Sequence, residues 1–96
     1  MATSKIYKDF ILEQLNLADN IAVKPMMGEF LLYKDGVLFG GIYDNRLLIK
    51  ITESNKRYGL ESAVPYAGAK LMCLVSDVDD KEKLKNIISD TCKGLL

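Results

Sequence analysis

The sequence predicts an α+β protein: a two-layer sandwich in which helices cover one face of an antiparallel sheet. Two observations carry this. Apolar stripes of helical period stand at both ends of the chain. Between them, two-residue turn signals at Asp35-Gly36 and Asp44-Asn45 separate strand-like runs. The expected order is α-β-β-β-α-β-α, read as one domain over residues 1–96.

The first helix follows Thr3 or Ser4, either of which can cap it. Ile6, Tyr7, Phe10, Ile11 and Leu15 recur at helical offsets and form one apolar stripe. Residues 16–20 end it. The turn signals then divide the middle into Ile21–Lys34, Val37–Tyr43 and Arg46–Ile51, a three-stranded meander. Only Gly28 stands between Met27 and Glu29, which is too little for a hairpin on this reading. Residues 21–34 are therefore expected to be one long strand, bent at Gly28, with Pro25 at an edge or a bulge. Of Met26 and Met27, one is expected to pack in the core and the other to cover it.

Thr52 and Gly59 bracket a short helix. Residues 64–70 form a loop, because Pro65 and Gly68 both break regular structure. Lys70–Val75 is a further, centrally buried strand. In the last helix, Asp79 and Glu82 form a D-x-x-E capping box, and Leu84, Ile87, Ile88, Thr91, Cys92 and Leu95 form the buried stripe.

Composition narrows the function classes. Lys+Arg and Asp+Glu both number 13, so the formal net charge is zero, a poor default for a nucleic-acid binder or a polybasic membrane anchor. No stretch approaches the ~20 apolar residues of a membrane span. "MATSKIYKDF" lacks the apolar centre of a signal peptide, so the expected location is the cytoplasm. There Cys73 and Cys92 read as buried, reduced thiols. The chain contains no histidine, which removes the commonest general base and metal ligand. The expectation is a non-enzyme with no metal and no cofactor.

"GVLFGG" (36–41) fails the context test for a phosphate loop, since no helix and no Lys-Ser/Thr follow it. Gly40-Gly41 instead lets a helix or a bulky side chain lie close to the sheet. Residues 46–70 hold five basic residues and two acidic ones. Together with Lys24, the residues Arg46, Lys50, Lys56, Arg57 and Lys70, with Tyr66 nearby, are the candidate partner-binding set.

From Lys24 the chain runs "KPMMGEFLLYKDGVLFGGIYDNRLLIK". This resembles the N-terminal domain of the TfoX/Sxy competence regulators. The resemblance rests on Lys24, Met26-Met27-Gly28, Tyr33, Asp35-Gly36, Phe39, Asp44, Arg46, Leu47 and Lys50, in that order. Pro25 departs from the pattern, standing where a basic or polar residue is more usual. The resemblance implies an α+β fold related to secretion chaperones, a single-domain member ending at Leu96, and a role in transcriptional, competence-type regulation through protein contacts. The alternative is a chaperone-like homodimer that binds a peptide or protein segment on its sheet. An exposed apolar patch on the sheet face away from the helices would favour the alternative.

The charge balance predicts that the purified protein does not bind duplex DNA tightly. A binder making 6–10 phosphate contacts has a log–log salt slope of roughly −5 to −9, whereas this chain can supply about 3 or 4 contacts. A salt titration on random and promoter duplexes checks this. Submicromolar affinity at physiological salt would contradict it.

Overall fold

A computed structural model describes residues 2–96 and has the α+β architecture. Helix α1 spans Lys5–Gln14. Strands β1 (Ile21–Met26), β2 (Glu29–Lys34), β3 (Val37–Ile42) and β4 (Leu47–Ile49) follow. A 3-10 helix, Glu53–Tyr58, leads to β5 (Glu61–Ala63), β6 (Met72–Val75) and α2 (Lys81–Lys93). The six strands form one antiparallel sheet in the order β1-β2-β3-β4-β6-β5.

The sheet has two unlike faces. Leu32, Ile42, Leu47, Ile49, Cys73 and Val75 share a core cluster with Ile11 and Leu15 of α1 and with Leu84, Ile87, Ile88 and Cys92 of α2. Both helices therefore lie on one face, as expected. Burying each large aliphatic side chain contributes roughly 1.5–3 kcal/mol, so this cluster dominates the stabilisation. Most of the α2 stripe is buried as expected: Leu84, Ile87, Ile88, Thr91 and Cys92 all face the core, whereas Leu95 lies beyond the helix end and is only half-buried. Both cysteines are free and buried, and burial raises both thiol pKa values, which disfavours the reactive thiolate.

The main correction concerns residues 21–34. They are not one bent strand. Ile21–Met26 pairs with Glu29–Lys34 in register from Ile21↔Lys34 to Met26↔Glu29, so β1 and β2 are a hairpin. Met27 and Gly28 form its turn, with φ of 49° and 86°. Positive φ at both central residues is the type I′ pattern, whose twist matches the flanking strands. Asp35-Gly36 makes the next hairpin the same way, with φ of 50° and 80°. The Met26/Met27 expectation falls with the bend: Met27 is 99% exposed at the hairpin tip, and Met26 is half-buried. The one register shift in these hairpins lies between β2 and β3 instead. Leu32 pairs with Gly40 and Tyr33 with Leu38, which leaves Phe39 as the extra residue. The bulge turns Phe39 fully into the core.

Smaller corrections follow from local chemistry. Ser4 caps α1 through its hydroxyl, but Ile6 is 84% exposed and Phe10 is 39% exposed. The stripe that packs inward is Ile11 and Leu15, with Tyr7 and Leu12 at its margin. Asp80, not Asp79, caps α2 by accepting from the Lys83 N–H. Thr52 and Gly59 do bracket a helix, but it is 3-10. Asn55 closes a reciprocal capping box with Thr52 and also donates to the Lys50 carbonyl and the Thr91 hydroxyl. Those bonds tie the six-residue segment down by its side chains. Strand β5 was not expected, because Glu61-Ser62-Ala63 has no apolar alternation.

The Met27-Gly28 turn yields a testable outcome. An L-residue with a bulky side chain in the left-handed region costs roughly 1–2 kcal/mol, and asparagine tolerates it better. Met27→Asn should therefore stabilise the protein by about 1 kcal/mol, seen as a higher urea midpoint at unchanged m. A lower midpoint would contradict the hairpin.

Candidate functional site

The site is built mainly on the sheet face away from the helices. Ile42 points into the core, so Gly41 before it points outward. A Cβ at Gly41 would lie 2.5 Å from the Phe30 carbonyl oxygen and 2.7 Å from Tyr43 Cε2. The Tyr43 ring thus lies on the backbone of the sheet, which only glycine permits. At Gly40 a Cβ would collide with the Leu48 carbonyl of β4. The expected close approach at Gly40-Gly41 is present, made by strand β4 and by a tyrosine ring.

Tyr43 is also where the next loop is anchored. Its N–H donates to the Arg46 carbonyl and its own carbonyl accepts from the Arg46 N–H, at 2.9 and 3.0 Å. Asp44 and Asn45 turn the chain between them with positive φ. The Arg46 guanidinium then reaches across and donates to the carbonyls of Val64 and Pro65, both at 3.2 Å. This holds loop 64–70 beside Tyr43. Tyr66 of that loop meets the Tyr43 ring with centroids 6.3 Å apart at 53°. Burial raises the Tyr43 phenol pKa, with a smaller contribution from Tyr66.

The opposite wall comes from the end of β4. Ile49 is in the core, so Lys50 faces outward, and its N–H donates to the Phe39 carbonyl at 2.8 Å. Between the walls is a cleft of about 500 Å³. Leu38, Met72, Leu71, Ile51 and, from the segment after α2, Leu95 supply apolar lining, Tyr43, Pro65 and Tyr66 one side, and Lys50 and Lys70 the charge. Among the described residues, no Asp or Glu side chain lines it. The volume falls within the range of natural ligand clefts. Several lining side chains are also well exposed: Tyr66 at 59%, Leu71 at 53% and Ile51 at 42%.

The sequence-derived candidates therefore divide. Lys50, Tyr66 and Lys70 converge on the cleft, with Arg46 bracing the loop behind it. Lys24 stands apart on edge strand β1, 5.9 Å from the Tyr33 ring centroid. Lys56 pairs with Glu53, and Arg57 with Asp90. Tyr58 also donates to Asp90, at 2.5 Å, so Arg57 fastens the 3-10 helix to α2. Sequence reasoning missed Tyr43, Leu38, Ile51, Leu71 and Met72. They come from separate segments and share no local pattern. Among the described residues, no group of His, Cys, Asp or Glu side chains could hold a metal ion. None of their helices is long and apolar enough to cross a membrane.

No established family profile matches the chain. It is 31% identical over 98 residues to the "Uncharacterized 12.7 kDa protein in trpE 5'region" of Spirochaeta aurantia, an alignment covering 99% of this chain and 85% of that protein.

The Asp90 contacts generate a pH prediction. The Tyr58 hydroxyl, and after it Arg57, hold the Asp90 carboxyl below its ordinary value. A carboxylate with a depressed folded-state pKa stabilises the fold above its unfolded value of about 3.9, and that stability is lost as pH falls through the folded value. Asp90→Asn should thus be less stable than the wild type at pH 7, and the difference should shrink below about pH 4. A difference that stays constant down to pH 2 would show that the carboxylate charge is not what matters.

Proposed function

The chain belongs to the same family as the Spirochaeta aurantia 12.7 kDa protein, and we propose that it is a small non-enzymatic adaptor of the TfoX N-terminal type, acting through protein contacts in transcriptional regulation. The open-face cleft is its contact surface. What supports this reading is the convergence of Lys50, Tyr66 and Lys70 on one exposed, partly apolar cleft that no Asp or Glu lines among the described residues. Exposed aromatic and aliphatic side chains around a concave, cationic centre are what a partner's anchor residues require. Neutral overall charge fits a protein held at promoters by a DNA-binding partner rather than by its own phosphate contacts. The expected setting is the cytoplasm.

The second reading, a homodimeric module that holds peptide segments, is favoured by one specific observation. Tyr66 and Leu71 expose apolar surface around a cleft that lies mainly on the face away from the helices. The two readings differ in what the cleft contacts.

A photo-crosslinking residue at position 66, used in native cells, separates them. The adaptor reading expects RNA polymerase or a transcription regulator as a discrete adduct, lost in the Lys50→Glu/Lys70→Glu variant. A smear of many unfolded chains would instead favour the peptide-holding module. Absence of any adduct, with the variant indistinguishable from wild type, would contradict both.

A further inference from the structure

The cleft has a chemistry that selects among partners. Lys34, Lys56, Arg57, Lys81, Lys83 and Lys93 each reach a carboxylate within the chain. Among the described residues, Lys50 and Lys70 have no acidic neighbour within ion-pairing distance, and both line the same cleft. The half-buried Glu29 is engaged elsewhere. Glu29, on the far side of the Tyr43–Asn45 turn, accepts from the Thr3 hydroxyl at 2.7 Å and from the Asp44 N–H at 3.1 Å. Two ammonium groups with no ion-pair partner among the described residues, beside an apolar floor, favour an anionic group in the cleft.

We infer that the cleft takes an acidic segment of a partner protein, with one large apolar or aromatic side chain seated between carboxylates. This rests on the adaptor reading and names its partner's chemistry. The apolar anchor sits over Leu38, Met72 and Leu71, against the Tyr43–Tyr66 wall. The flanking carboxylates pair with Lys50 and Lys70. A protein segment fits better than a small free anion because the walls are open: Tyr66 and Leu71 are each more than half exposed. An isolated small ligand there would stay largely solvated, whereas a longer segment covers the rim as well as the floor. Charge complementarity supplies orientation and on-rate, and the buried anchor supplies most of the affinity.

The test uses the full chain and three fluorescein-labelled short peptides. The first carries one phenylalanine between acidic pairs. In the second every acid is its amide. The third has alanine for phenylalanine. By fluorescence anisotropy the first should bind at least about tenfold more tightly than either other, a difference of about 1.4 kcal/mol. Lys50→Glu/Lys70→Glu, checked for native circular dichroism, should lose it, and rising salt should weaken it. The milder Lys70→Gln variant should lose part of the binding if charge reversal disturbs folding. Equal binding of the acidic and amide peptides would overturn the inference, and so would phenylpropionate alone competing as well as the unlabelled peptide. A discrete cross-linked regulator at position 66 without acidic-peptide binding would overturn this inference and leave the adaptor reading standing. Acidic-peptide binding without such an adduct would support the cleft chemistry and contradict the adaptor reading.

Discussion

The contact on which the open face depends is the Tyr43 ring lying on Gly41. With any side chain at 41 the ring could not reach the sheet, since a Cβ there would also meet the Phe30 carbonyl at 2.5 Å. Once the ring is down, the rest follows by adjacency. Arg46 bonds to the Tyr43 backbone and to loop 64–70, and Tyr66 packs on the ring. Lys70 and Leu71 are delivered to the cleft where the loop runs into β6. The helix-covered face makes the domain stable. This second, smaller arrangement makes the other face specific.

The two faces answer different physical demands. On the core face, Leu47, Ile49, Cys73 and Val75 meet the helices in a closed aliphatic layer. On the open face, Leu48 is fully buried yet lies outside that cluster. It is the register partner of Gly41, so it lies beside the ground that the Tyr43 ring covers. A sheet with helices on one face only must otherwise leave such residues to water. Here a tyrosine pair and a braced loop cover part of that face, and the remainder is the cleft.

Much of the fold was legible because its signals are local. The α2 stripe from Leu84 to Cys92, the Asp35-Gly36 turn and the Thr52 cap each depend on residues within one or two turns of the chain. The first hairpin was misread because Met27 is a poor residue for a left-handed turn position, so Met-Gly does not announce itself as Asn-Gly would. Its conformation is set by the pairing of β1 with β2. The exposure of Ile6 and Phe10 was missed for the complementary reason: a stripe wider than the available sheet cannot all be buried. At the site, sequence named Lys50, Tyr66 and Lys70 as basic and aromatic surface. It also allowed a helix or a bulky side chain close to Gly40-Gly41, without naming Tyr43. The insertion of β6 between β4 and β5 brings these residues together, and strand order is not written in local periodicity.

The dependence of the open face on Gly41 is tested most directly by Gly41→Ala, followed by nuclear Overhauser contacts between the Tyr43 and Tyr66 rings alongside urea denaturation. The ring contact should be lost and the protein destabilised by roughly 1–3 kcal/mol, while contacts of Leu84, Ile87 and Ile88 with the sheet persist. A variant of wild-type stability that retains the Tyr43–Tyr66 contact would contradict the claim that this glycine is what allows the cleft to form.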